Sequence, residues 1–522
     1  MRRIPVRRDD LWLIVLAAFS VIVYVGSAAH LNKVGYPLDD AWIHQTYARN
    51  LAKHGEWAFV PGQPSSASTA PLFSVLLSPA YILGLSHFVW TFGVGVLALG
   101  LAGCLNARLA DRLWATVPGA RLWTGVLTVL SWHNVWAAAS GMETMLFGML
   151  ALAMIWVTWV DAARLGKELA HREMAWRGAR AGGVAAALTL TRPEGLGLVM
   201  LSAALMVLAQ GHVMRLRWRQ ILAWGGGLLF VWLAICTPVI AFNWQVNGTL
   251  LPDTAAAKQA EYAPISEQWP LVERLFRIVI PLMAGHLTLI IPGIVTATLI
   301  LTTRARHNRE ELLHSLPLLW ALAHIGLYAW RLPANYQHGR YLMPALSPLL
   351  LLGVGGTLLL VQRWNRSLTG RVLSRSLALS VPLVTLGFWG IGARQYGQDV
   401  HIINSEMVTT AQWVDAHLPR ERLLAVHDIG ALGYFAPRPI FDLAGLVSPE
   451  VIPLFRNSEG LMRLMCNRGV AYLMVMPDQR PVPPEDPRLG RVIFTTNAPY
   501  APAAGGGNMM VYEMAWPAGC VW

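Results

Sequence analysis

The chain has 522 residues, of which 55% are hydrophobic and only 13% are charged, and its formal net charge is +12. Soluble globular proteins carry about 25% charged residues, so this composition excludes an ordinary soluble protein and indicates one that crosses a membrane many times. The positive charge does not indicate nucleic-acid binding, because the basic residues lie in short clusters between apolar runs, as the orientation signals of membrane proteins do.

Eleven apolar segments follow one another along residues 1–392, and we predict that each is a membrane-spanning helix, since about 20 apolar residues cross a bilayer. The fifth and sixth segments are short and are predicted to form a broken or tilted hairpin. Residues 72–85 are also apolar, but Pro71 and Pro79 bracket them, so we expect a helix that lies on or dips into the outer face. The predicted spans are 11–29, 88–105, 122–138, 142–163, 178–191, 194–210, 221–242, 284–303, 313–330, 342–361 and 376–392.

The distribution of basic residues predicts the orientation of these spans. With the amino terminus in the cytoplasm, the inside segments carry 22 Lys and Arg residues and the outside loops before residue 393 carry 9. This bias follows the positive-inside rule, and counting residues 72–85 as a full crossing would reverse it. An odd number of spans then puts residues 393–522 outside the cytoplasm.

Residues 393–522 have ordinary polarity and alternating patterns, which predict a small extracytoplasmic α/β domain. We therefore divide the chain into a transmembrane domain, 1–392, and this second domain. Cys466 and Cys520 lie in it, and a disulfide between them is compatible with an outside location. Strands are predicted at 422–427, 440–443, 471–476, 491–495 and 509–513, and short helices at 429–435 and 461–467.

Charged and polar residues that are unusual beside hydrocarbon all lie on the outer side under this topology. Charges at such positions are costly and are usually functional, so we predict a single site for a negatively charged, hydroxyl-rich ligand. Structural roles stay open: an aspartate at the start of a helix is also a favoured cap, acids and bases can pair with each other, and Lys or Arg can extend towards water. The residues are Asp39, Asp40, His44, Arg49, Glu143, Arg192, Glu194, Asp253, Lys258, His338 and Arg340.

Several short motifs contain or adjoin these residues. They are Leu-Asp-Asp-Ala-Trp-Ile (38–43), Ser-Gly-Met-Glu-Thr (140–144), Leu-Thr-Arg-Pro-Glu-Gly (190–195), Asn-Gly-Thr-Leu-Leu-Pro-Asp-Thr (247–254), Gln-His-Gly-Arg-Tyr-Leu-Met-Pro (337–344), and the segments 428–435 and 442–446. In this order they resemble motifs of the GT-C class of membrane glycosyltransferases. The nearest relatives by this resemblance are the actinobacterial terminal arabinofuranosyltransferases. The resemblance runs from about residue 38 to about residue 450, and its last part resembles the start of their carboxy-terminal extracytoplasmic domain.

The resemblance implies a GT-C fold and an enzyme of the bacterial plasma membrane. Such an enzyme transfers a sugar, with inversion, from a polyprenyl-phosphate carrier to a cell-envelope glycan or lipid acceptor on the outer face. Arabinofuranose is favoured through the nearest relatives, while mannose or another pentose stays open. A lipid-modifying transferase, a transporter or flippase, and a non-catalytic glycan-binding membrane protein are the alternative readings. A transporter is disfavoured, because its charges would line a path through the membrane midplane.

The resemblance also implies roles for individual residues. A first-loop aspartate acts as general base, since the acceptor hydroxyl must lose its proton as it attacks. When Ala48-Arg49 is the anchor of the alignment, Asp40 matches the first-loop aspartate of the lipid A aminoarabinose transferases. When the acidic pair itself is matched, Asp39 takes that place. We favour Asp40 as the base and give the other aspartate a sugar- or helix-orienting role. Arg340, His338 and Lys258, with Arg192 in reserve, are predicted to bind the donor phosphate. Sugar or acceptor contacts are predicted for Glu143, His44, Tyr47 and Glu194.

No metal is predicted, although some GT-C enzymes place a divalent cation beside these acids. The predicted partners are the lipid-linked donor, the acceptor and membrane lipids.

Overall fold

A computed structural model describes residues 7–31, 33–167, 170–209, 215–250, 252–365 and 367–518. The structure is mainly helical, as predicted. Its helices in chain order are α1 (Arg8–Leu31), α2 (Asp40–His54), α3 (Pro71–Ile82), α4 (His87–Leu113), α5 (Ala120–Leu130), α6 (Trp132–Ala139), α7 (Thr144–Ala162), α8 (His171–Thr191), α9 (Gly195–Leu208), α10 (Arg215–Asn247), α11 (Asp253–Gln268), α12 (Leu271–Met283), α13 (Leu287–His307), α14 (Leu316–Arg331), α15 (Met343–Trp364), α16 (Leu368–Ile403), α17 (Thr409–His417), α18 (Gly430–Phe435), α19 (Ser458–Asn467) and α20 (Tyr500–Ala503).

Within the described residues, eight helices are long and apolar enough to cross a membrane, and they coincide with eight of the eleven predicted spans. The other three predicted spans are also helical. Residues 122–138 form α5 and α6, which are separated at Ser131, whereas 178–191 and 194–210 fall in α8 and α9. The apolar stretch after Pro71 forms the short helix α3, as expected. These helices confirm a polytopic membrane protein.

A small sheet follows the helices, as the alternating patterns predicted. Strands β1 (Ala58–Val60) and β2 (Gln63–Pro64) form a separate antiparallel pair in the first loop. In the carboxy-terminal sheet the order is β4-β3-β5-β7-β6, with β3 parallel to β4 and β5, and β7 antiparallel to β5 and β6. Its strands are β3 (Leu424–Val426), β4 (Ile440–Asp442), β5 (Tyr472–Val475), β6 (Arg491–Thr495) and β7 (Met510–Glu513).

The last long helix links the two parts of the chain without a break. Helix α16 runs from Leu368 to Ile403, and a π-helical turn, Asn404–Val408, leads directly into α17. The predicted boundary at 392 falls inside this helix. The sequence becomes more polar at that point, but the helical backbone continues. The division into two domains at that point stays a prediction.

A buried carboxylate ties the π-helical turn to the sheet. Glu406 has no exposed surface. It accepts hydrogen bonds from Thr496 Oγ1 (2.5 Å), Met509 N (2.8 Å) and Asn508 Nδ2 (3.1 Å), which flank β6 and β7. Burying an ionisable group costs free energy unless it is hydrogen-bonded, so these bonds fix the long helix against the hairpin.

Two of the four cysteines, Cys104 and Cys236, are buried, and neither forms a disulfide with another described residue. The proposed pairing of Cys466 with Cys520 lies outside the described residues, since the structure describes nothing beyond residue 518.

Candidate active site

A cavity of about 430 Å³ lies between the first loop, helix α11, the segments that precede α7 and α9, and the end of α14. Each of the five motifs up to residue 344 contributes to its wall, so the structure brings together side chains that are up to 300 residues apart. Leu446 adds a contact from the carboxy-terminal part of the chain. The predicted site residues that line the cavity are Asp40, His44, Glu143, Arg192, Glu194, Lys258 and Arg340.

Asp40 and Arg340 form an ion pair in the cavity wall. Asp40 begins α2, and its Oδ2 accepts a hydrogen bond from Arg340 Nη2 at 2.5 Å. The same nitrogen donates to the Tyr341 hydroxyl at 3.0 Å. Arg340 is 4% exposed, and its Nε and Nη1 atoms have no hydrogen-bond partner among the described residues. A guanidinium presents its donors as a planar fork that suits carboxylate and phosphate, and two of these donor nitrogens are not used by the described protein groups.

The charge state of Asp40 follows from its neighbours. Burial raises the pKa of Asp40, but Arg340 and then Lys258 lower it by more, so the pKa lies below its ordinary value. Asp40 is therefore a carboxylate at neutral pH. Burial lowers the pKa of Lys258, but Tyr341, Glu261 and Asp40 together raise it, so Lys258 is charged. Its Nζ lies 2.9 Å from Glu261 Oε2.

Asp39 points away from the cavity although it is adjacent to Asp40. Its side chain is buried, and its carboxylate accepts hydrogen bonds from the backbone N–H groups of Gly430 (2.6 Å) and Ala431 (2.8 Å) at the start of α18. Burial and the neighbouring Asp428 raise the pKa of Asp39, whereas the two N–H donors, which stabilise the charged carboxylate, lower it. The two aspartates thus have different surroundings, and only Asp40 faces the cavity.

Glu143 also lines the cavity, and its contacts differ from those of Asp40. It is fully buried. Its Oε1 accepts a hydrogen bond from Arg192 Nη1 at 2.6 Å, and its Oε2 lies 3.2 Å from His44 Nε2. His44 Nδ1 is in turn 3.0 Å from Ser74 Oγ. These contacts fix the orientation of the carboxylate.

Arg192 has a partner for each of its nitrogens. Nε donates to Glu194 Oε1 at 2.5 Å, and Nη2 donates to the Tyr328 hydroxyl at 2.6 Å, in addition to the bond from Nη1 to Glu143. Tyr328 also donates to Glu194. The arginine therefore bridges the two acids that immediately precede α7 and α9, and its nitrogens are already used by protein groups.

Like Asp39 and Arg49, the predicted site residues His338 and Tyr47 do not line the cavity. His338 Nε2 is 2.8 Å from Asp399 Oδ2, between the rings of Trp132 and Trp136. The backbone at 337–339 has φ values of +52°, +59° and +72°, and this left-handed turn gives His338 partners different from those of Arg340. Tyr47 is buried in the first loop, where its hydroxyl is 2.7 Å from Ser65 Oγ.

Neutral residues of the cavity escaped the sequence reasoning. Thr254 is 5% exposed, and its hydroxyl lines the cavity without a hydrogen-bond partner among the described residues. Tyr341 and Tyr328 also line the wall. Thr254 and Tyr341 belong to motifs that the resemblance includes, but they carry no charge that would mark them. The side chain of Asp253 lies outside the described part of the chain.

No group of three or more His, Cys, Asp and Glu side chains is arranged to hold a metal ion in the part of the chain that is described. The absence of a metal from the site stays a prediction.

Comparison with known families covers only the end of the chain. Residues 384–512 match a family model described as a domain of unknown function (DUF8728). No curated protein matches the sequence.

Solved structures show the fold. ArnT from Cupriavidus metallidurans, bound to undecaprenyl phosphate, aligns with a TM-score of 0.58 at 14% identity over 98% of this chain and 99% of that chain. The Archaeoglobus fulgidus oligosaccharyltransferase in its apo form aligns with a TM-score of 0.63 at 12% identity over 90% and 70%. The chain has the GT-C fold.

The mycobacterial arabinofuranosyltransferase AftD aligns with a TM-score of only 0.48, at 18% identity over 90% of this chain and 36% of that chain. This similarity is too distant to bear on the sugar.

Proposed function

We propose that this protein is a glycosyltransferase that moves a sugar from a polyprenyl-phosphate carrier to a hydroxyl of a cell-envelope glycan or lipid. The observation that carries the proposal is the pairing, in the wall of one cavity, of an ionised carboxylate, Asp40, with a buried guanidinium, Arg340, two of whose nitrogens have no partner among the described residues. The similarity in fold to an ArnT bound to undecaprenyl phosphate supports a carrier of this kind.

In the proposed reaction the acceptor oxygen attacks the anomeric carbon of the donor sugar. Asp40 takes the proton of the acceptor hydroxyl as the new C–O bond forms. The bond between the anomeric carbon and the phosphate oxygen breaks, and its electron pair stays on the lipid phosphate. Arg340 and Lys258 stabilise that charge. A single displacement of this kind inverts the anomeric configuration.

The ion pair couples phosphate binding to the strength of the base. While Arg340 is paired with Asp40 alone, it holds the pKa of that carboxyl low. A phosphate that accepts bonds from Nε and Nη1 of Arg340 brings negative charge close to Asp40. Like charges raise the pKa of a carboxyl, so a bound donor makes Asp40 a better proton acceptor.

The sugar is assigned to the part of the cavity wall that contains Glu143 and Thr254. Glu143, fixed by His44 and Arg192, accepts hydrogen bonds from sugar hydroxyls, and the hydroxyl of Thr254, which has no partner among the described residues, adds a further contact. Glu194 acts with Arg192 in holding this wall. We give no substrate contact to His338 and Tyr47, because neither lines the cavity.

Location and sugar are proposed from the sequence. The excess of basic residues in the predicted inside loops supports a cytoplasmic amino terminus and a site on the outer face of the bacterial plasma membrane. The motifs favour arabinofuranose as the transferred sugar, and no metal is assigned to the reaction.

The test uses membranes that contain the protein, a labelled decaprenyl-phosphate pentose and a glycan acceptor. We expect label in the acceptor, with transfer at least about 100-fold slower in Asp40→Asn, since general-base catalysis contributes 10²–10⁴-fold. Asp415→Asn, which removes an acid that is paired with Arg420 on the surface, is the matched control. Full transfer by Asp40→Asn would refute the assignment of the base.

A further inference from the structure

The short helix α18 is held at both of its ends by side chains of α2 and its cap. At the amino-terminal end, Asp39 accepts hydrogen bonds from the N–H groups of Gly430 and Ala431. At the other end, Arg49 Nη1 donates to the carbonyl of Tyr434 at 2.6 Å, and Nη2 donates to that of Gly433 at 3.2 Å. An acid at the amino end and a base at the carboxyl end also complement the helix dipole.

The face of α2 between these two residues packs against the same helix. Trp42 contacts the rings of Tyr434 and Phe435, with centroid distances of 4.8 and 4.7 Å. Asp39, Trp42 and Arg49 are three and seven residues apart, which places them on one side of a helix. Asp40 follows Asp39 directly and faces the cavity. Its position therefore depends on how this side of α2 packs against α18.

Glycine allows the close approach. A Cβ atom on Gly430 would lie 2.0 Å from the carbonyl oxygen of Asp39, and one on Gly433 would lie 2.1 Å from Phe59 Cζ. Both distances are far below van der Waals contact, so larger residues would separate α18 from the first loop. The glycines of this segment therefore serve the docking of α18 on α2.

We propose that Asp39 and Arg49 are positioning residues that clamp α18 onto α2 and thereby hold Asp40 at the cavity. The carboxy-terminal part of the chain thus acts on the reaction through the first loop. Asp39 is not the base on this account, because its carboxylate is used by two backbone donors. The effect on transfer rests on the proposed function, whereas the clamp itself is a contact that can be measured without turnover.

The experiment compares the purified full-length parent with Asp39→Asn, Arg49→Gln, Arg49→Lys and the Asp39→Asn/Arg49→Gln double variant. Hydrogen exchange of a peptide covering 430–435 reports the docking of α18, and kcat reports the position of Asp40. The Kd for undecaprenyl phosphate reports whether the cavity is folded. Arg420→Gln, which breaks an exposed ion pair of the same region, is the control.

We expect exchange at 430–435 to be at least about tenfold faster in Asp39→Asn and Arg49→Gln, since local opening sets exchange rates. In the same variants kcat falls about tenfold or more, while the Kd for undecaprenyl phosphate stays within about twofold of the parent. Arg49→Lys, which keeps the positive charge and one donor nitrogen, has a higher kcat than Arg49→Gln. The double variant is no slower than the slower single variant by more than about twofold, because contacts that act through one element are not additive.

Two results would overturn the proposal. Unchanged exchange and unchanged kcat in both single variants would mean that α18 docks without the clamp. A fall in kcat of about 1,000-fold or more in Asp39→Asn, with unchanged exchange at 430–435, would make Asp39 the base itself. If the parent transfers no sugar but exchange is faster in the variants, the proposed function fails and the clamp is supported.

Discussion

Replacing Arg340 with lysine keeps the positive charge but removes the planar fork. In the parent, Nη2 is bonded to Asp40 and Tyr341, and Nε and Nη1 remain for the lipid phosphate. A lysine ammonium is a single centre on a flexible stem. It cannot keep the contact with Asp40 and replace both free donors, so Arg340→Lys loses at least one charge-assisted hydrogen bond to the phosphate.

The size of the loss follows from that count. A hydrogen bond to a charged group contributes about 1.5–3 kcal/mol, and every 1.4 kcal/mol is about tenfold in Kd. Arg340 is almost fully buried, so water replaces little of what is lost. We expect Arg340→Lys to bind undecaprenyl phosphate about 10–100-fold more weakly than the parent.

The assay is the Kd for undecaprenyl phosphate in detergent, measured by thermophoresis on purified protein. Arg277→Lys is the matched control, because Arg277 lies on α12 in an exposed pair with Glu273 and does not line the cavity. A Kd for Arg340→Lys within about twofold of the parent would refute the assignment of Arg340 to the phosphate.

Two further predictions concern packing and pH. Gly433→Ala puts a Cβ against Phe59, and such overpacking costs about 1–3 kcal/mol. The thermal midpoint of this variant should therefore be lower than that of the parent. Gly326→Ala, whose Cβ meets open space, should not lower the midpoint. Lys258→Met removes a charge that lowers the pKa of Asp40, so the acid limb of kcat/KM, which marks protonation of that base, should move to higher pH. A limb that stays in place would contradict the role of Lys258.

Much of the fold could be predicted from the sequence because apolar length is a local signal. The long helices fall where hydropathy put them, and the strands after residue 420 fall within a few residues of their alternating patterns. The break at Ser131 between α5 and α6 was missed, because the segment 122–138 is apolar on both sides of it. The continuity of α16 through residue 392 was missed, because the increase in polarity there was interpreted as the end of a membrane-spanning helix.

The cavity was predictable as a set of charges and unpredictable in its details. Charges beside hydrocarbon were found because they are costly, and most of them converge. Which way a side chain faces depends on tertiary contacts that no local pattern contains. Asp39 and Asp40 are adjacent residues of the same type. Asp39 nevertheless binds the backbone of α18, almost 400 residues later, whereas Asp40 faces the cavity and pairs with Arg340. The contact of His338 with Asp399 on α16 could not be predicted for the same reason.

The most direct measurement of the central claim is single-turnover release of polyprenyl phosphate by purified protein in nanodiscs. The donor is a decaprenyl-phosphate pentose, with acceptor present, and the parent is compared with Asp40→Asn and Asp40→Glu. The account predicts release by the parent, a rate at least about 100-fold lower in Asp40→Asn, and partial recovery in Asp40→Glu, which keeps a carboxylate. Release at the parent rate by Asp40→Asn would contradict it.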